Sequence, residues 1–78
     1  MISMSSPAPD STTAMTEALR RYIHDIRGHL SPAMLRADSL ALSEDERTRT
    51  AARDIIAALE ATTKELSAMR RLLPARQP

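Results

Sequence analysis

Apolar side chains recur along this chain at intervals of three and four residues, never at the interval of two that a half-buried strand needs. Met15, Leu19, Ile23, Ile26 and Leu30 form one such series. At about 100° per residue they fall on a single stripe, which predicts a first helix over about 13–42, some 45 Å long at 1.5 Å per residue. A second series, Ala52, Ile55, Leu59, Thr62, Leu66, Met69 and Leu73, alternates three- and four-residue steps without a fault, and Ile56 widens it. That alternation is a heptad seam and predicts a second helix over about 44–73. Ser43-Glu44-Asp45-Glu46 has the order of a capping box, the Ser43 hydroxyl and the Glu46 carboxylate closing free N–H groups at the start of the second helix. Arg70 and Arg71 occupy the last turn, and Pro74 ends it. Only a few residues join the helices, so they must fold back as an antiparallel hairpin. Two stripes this wide cannot cover each other completely. An all-α hairpin that dimerises into a four-helix bundle covers them, so a homodimer is expected.

Composition narrows the class. The chain has 78 residues, one glycine, no phenylalanine and no tryptophan, enough for one small domain with few bulky groups to fill a core. Its apolar residues, 42% of the total, are nearly all Ala, Leu, Ile and Met, which favour helices. Ser, Thr and Pro crowd the start, with Pro7 and Pro9 interrupting regular structure. Residues 1–12 therefore read as a flexible arm ending near a cap at Asp10, Ser11 or Thr12, and 74–78 as a short tail. Pro32 lies inside the first helix, where its ring meets the carbonyl of Gly28, the residue freest to bend, so a kink rather than a break is expected.

Charge and residue types exclude several functions. A formal charge of +1 gives little support for nucleic-acid binding, which draws on a strongly basic face. No cysteine and only two histidines leave no thiolate site and no expected metal centre. The start lacks a basic segment followed by an apolar core, and no apolar run approaches the roughly 18–20 residues of a membrane span, so a cytoplasmic location is expected.

The most informative residues are His24, Asp25 and Arg27. His24 points roughly 130° away from the apolar stripe and should stand in solvent. Arg20, Arg21, Arg27 and Gly28, three or four residues away, share its helix surface. Three cations suit an incoming phosphoryl group or an acidic partner. Asp25 is placed to hold one ring N–H and leave the other nitrogen free to attack. A solvated helix face also offers arginines and an aspartate around a histidine, and Asp25 with His29 is an ordinary surface pair worth a few tenths of a kcal/mol.

The run His24-Asp25-Ile26-Arg27-Gly28-His29-Leu30-Ser31-Pro32-Ala33 resembles the phosphoacceptor box of the dimerisation and histidine-phosphotransfer domain of bacterial sensor histidine kinases. The resemblance extends over residues 15–73, hairpin included. It implies that His24 is the phosphorylated residue, Asp25 its acid/base partner and Arg27 a supporting residue, with Arg20, Arg21 and Gly28 facing phosphate or partner. The implied partners are a second copy, an ATP-binding kinase domain in cis or trans, and the receiver domain of a response regulator. Gly28 stands where many family members carry a Thr or Asn that orients water for dephosphorylation. His29 replaces the usual proline, which appears three residues later in a Ser-Pro-Ala sequence known from a bacterial subgroup.

No ATP-binding module is visible in these residues. With Gly28 as its only glycine the chain cannot form a glycine-rich phosphate loop, so no cofactor is expected on it and ATP is expected on a separate kinase domain. The competing expectation is a purely structural helical hairpin for dimerisation or partner binding, in which His24 is incidental.

Overall fold

The computed structural model describes residues 10–75 and contains two helices, α1 over Asp10–Leu40 and α2 over Glu46–Leu72. They form a helical hairpin, all-α as the spacing predicts. The flexible arm expected over 1–12 lies outside the described residues as far as residue 9, while 10–12 are helical; of the tail, 76–78 lie outside them. Helix α1 has 31 residues and runs unbroken through Pro32. Beside the proline, the Ser31 hydroxyl donates to the Arg27 carbonyl at 3.1 Å. Among the described residues no helix is long and apolar enough to cross a membrane.

The turn corrects the expected capping box. Asp45, not Ser43, is the N-cap of α2, its backbone extended at φ −80° and ψ 122° and its carboxylate accepting from the Thr48 backbone N–H at 3.0 Å. The same oxygen accepts from the Thr48 hydroxyl at 2.7 Å. Ser43 sits two residues upstream, where its hydroxyl accepts from the Asp45 N–H at 3.1 Å and shapes the turn. A carboxylate two residues nearer the helix takes two donors from Thr48, which the Ser43 hydroxyl is too far back to reach. These hydrogen bonds, led by that of the Thr48 hydroxyl, hold the Asp45 carboxyl below the usual carboxylate range. Arg49 reaches back to the carbonyls of Ser43 and Glu44 at 3.0 and 2.9 Å, satisfying turn oxygens that no helix bond can use.

The core is thin and layered. Among the described residues Ile23, Ala37, Ala52 and Leu66 are its buried side chains. Ile23 and Leu66 are equally far from the turn, and so are Ala37 and Ala52; half-buried Leu30 and Leu59 form a layer between them. Layers seven residues apart are what a heptad seam produces when it folds back on a partner helix. The two alanines form the layer nearest the turn, where small side chains let the helix backbones approach.

The stripes are only partly covered, as their width requires. Met15, Tyr22, Ile26 and Leu40 remain 38–65% exposed on α1, and Ile55 and Met69 remain 44–47% exposed on α2. Helical angles place all six on one side of the line joining the two axes, because in an antiparallel pair the flank that precedes the seam on each helix faces the same way. The hairpin thus has a continuous open apolar face.

Candidate functional site: an exposed histidine beside an arginine-lined groove

His24 stands on the opposite flank. Its helical angle from Ile23 is about +100°, whereas Met15, Tyr22, Ile26 and Leu40 lie at about −60° to −100°. Its side chain is 88% exposed, and that of Asp25 is 55% exposed. The His24 Nδ1 lies 3.4 Å from the Asp25 Oδ1, just beyond the ordinary N–H···O range. Asp25 is thus the acidic neighbour of Nδ1, and the ring as a whole stands in solvent.

The arginines expected around the ring divide. Arg21 is exposed and lines a groove of about 570 Å³ together with His24, Arg20 and Arg70. Arg20 is drawn inward, its side chain only 13% exposed and its Nε 3.6 Å from a Glu17 carboxylate oxygen, an ion-pair distance too long for a hydrogen bond. Arg27 turns toward α2 and donates from its guanidinium to the Ser67 hydroxyl at 2.6 Å. Gly28 is exposed, and a Cβ built there meets nothing within 4 Å. Pro32 lies two turns beyond His24 on an exposed surface. Among the described residues no group of three or more His, Cys, Asp or Glu is gathered to hold a metal ion.

Two residues of this region, Arg70 and Ser67 of α2, do not stand out in the sequence. Arg70 reads there only as a cation complementing the end of its helix. The available signal was the helical angle of the α1 arginines: Arg20 and Arg27 lie within about 60° of Ile23, close enough to the seam to reach the facing helix. Long side chains at such positions bury their stems and carry the charge to the edge of the interface. The result is a surface on which one imidazole and the carboxylates of Asp25 and Glu17 adjoin a row of guanidinium groups, with the open apolar face behind it. No family model matches the chain, and neither a curated protein nor a solved structure matches it.

Proposed function

We propose that this chain is a phosphoacceptor and dimerisation module of two-component signal transduction, in which His24 takes a phosphoryl group from an ATP-binding kinase domain and passes it to a receiver aspartate. The observation that carries the proposal is the 88% exposed His24 side chain with Asp25 at its Nδ1, on the flank opposite the open apolar face. The Nε2 lone pair attacks the terminal phosphorus of ATP held by the kinase domain, the bond to the bridging oxygen breaks, and ADP leaves. Asp25 takes the Nδ1 proton as the ring acquires positive charge. In the second step a receiver carboxylate oxygen attacks the phosphorus, the N–P electron pair returns to Nε2, and Nδ1 recovers its proton from Asp25. Arg21 and Arg20 lie along the groove that an acidic receiver pocket would approach.

The homodimer belongs to the same proposal. A second copy laid on Met15, Tyr22, Ile26, Leu40, Ile55 and Met69 closes a four-helix bundle and keeps both His24 rings on the outside. A cytoplasmic location follows from the proposed partners. The test is labelling by a kinase domain with γ-labelled ATP. Acid-labile, base-stable label that disappears in His24→Gln supports the assignment, and label that survives the substitution refutes it. The open apolar face also favours a second reading, a scaffold for dimerisation or partner capture alone. Under that reading no label enters the wild-type chain, and His24→Gln leaves every property intact.

A further inference from the structure

We infer that the interhelical groove formed by Arg20 and Arg27 of α1 with Ser67 and Arg70 of α2 is an oxyanion site for phosphate-class ligands, separate from the phosphoryl group proposed on His24. The first observation is convergence. Arg20, Arg27, Ser67, Arg70 and Arg71 line one groove of about 510 Å³, and Arg20 and Arg70 also line the adjoining groove that reaches His24. Among the described residues the only carboxylate that lines either groove is that of Glu17. A helix surface that merely stays in solvent intersperses its signs, and the chain as a whole is near-neutral with 11 basic and 10 acidic residues.

The second observation is an unmet hydrogen-bonding demand. The Nε atoms of both Arg20 and Arg27 are buried and lack a hydrogen-bond partner among the described residues. Glu17 stays at 3.6 Å from the first, and the second belongs to a guanidinium whose terminal nitrogen is already committed to Ser67. Their burial closes those two atoms to a ligand in the groove, so an acceptor that carries negative charge and several oxygens would meet the guanidinium groups through their other nitrogens. Complementing the dipole of α2 accounts for Arg70 and Arg71 in its last turn, and the near-seam positions of Arg20 and Arg27 carry two further charges to the same edge. A tetrahedral phosphate presents oxygens in several directions and can accept from guanidinium groups on both helices at once.

The ligand oxygen pattern is shared by a single phosphoryl group and by a polyphosphate chain, and titration separates them. Orthophosphate, pyrophosphate and sulfate are added to the full chain at constant ionic strength while the arginine Nε–H resonances are followed by two-dimensional NMR. Saturable orthophosphate shifts at Arg20 and Arg27, weakened at least tenfold in Arg70→Gln, support the site. Pyrophosphate binding tenfold tighter assigns it to polyphosphates; equal affinity assigns it to single phosphoryl groups. Linear, unsaturated shifts that sulfate reproduces, or orthophosphate shifts unchanged in Arg70→Gln, overturn it as charge screening alone. Arg70 is exposed, so its substitution leaves the fold in place, and Arg27→Lys provides a second variant that keeps the charge but loses the fork. The site does not depend on His24 chemistry: binding that persists in His24→Gln is expected, whereas the phosphorylation test reads that residue alone.

Discussion

At the scale of single residues, the contacts that matter most are made by side chains short of neighbours of their own kind. Arg27 and Ser67 join helices across 40 positions of sequence through one charge-assisted hydrogen bond. Ser67→Ala removes the acceptor and leaves a half-buried guanidinium with fewer partners. We expect it to destabilise the chain by about 1–3 kcal/mol in urea unfolding. Asp45 anchors the turn in a different way. Its folded-state carboxyl is held below the ordinary value, so it binds protons less readily than in the unfolded chain. The stability it contributes is fully present at neutral pH, above the unfolded value, and is lost as pH falls through the folded value. Asp45→Asn keeps a capping oxygen but no titrating charge. Its melting temperature should fall below wild type at neutral pH, and the gap should narrow in acid; a gap that widens in acid contradicts the cap assignment.

At the scale of elements, α1 carries two residues that oppose a helix and that nothing around them requires. Gly28 has open space where a Cβ would stand, and Pro32 is exposed in the helix interior. Gly28→Ala should stabilise the chain by about 0.5–1 kcal/mol. Pro32→Ala, which restores a backbone donor, should stabilise it by up to about 3 kcal/mol. Both are read from thermal unfolding followed by circular dichroism, and neither changes a residue at His24. The helices themselves were legible in the sequence because a three- and four-residue period has one interpretation over this length. Their ends were not. Ser43 and Asp45 are both good caps, and the choice between them rests on which oxygen can reach Thr48 once the turn has closed. The site was legible to the same extent. His24 and Asp25 follow from helical angle on one helix, whereas the Arg27–Ser67 bond and the placing of Arg70 depend on how two helices register, which no local pattern encodes.

At the scale of the whole molecule, the hairpin buries one edge of each apolar stripe and leaves the other open. Among the described residues four buried side chains, two of them alanine, make a slight core for helices of 31 and 27 residues. In the proposed dimer a second copy seated on the open face would supply the missing burial. Ile26→Glu and Ile55→Glu place charges at the centre of that face and should convert a dimer to monomers with reduced helix content. Analytical ultracentrifugation together with circular dichroism checks this, and wild-type chains that sediment as monomers at high concentration would remove the bundle from the account. In the proposed bundle His24 would stay on the outside, where a donor would reach its ring without disturbing the core. The most direct test supplies the phosphoryl group without any kinase. The chain is treated with the small donor phosphoramidate and followed by phosphorus NMR and intact mass. One acid-labile phosphoryl group per protomer is expected, on His24 and absent from His24→Gln. An unmodified chain, or modification of His29 with His24 intact, contradicts it.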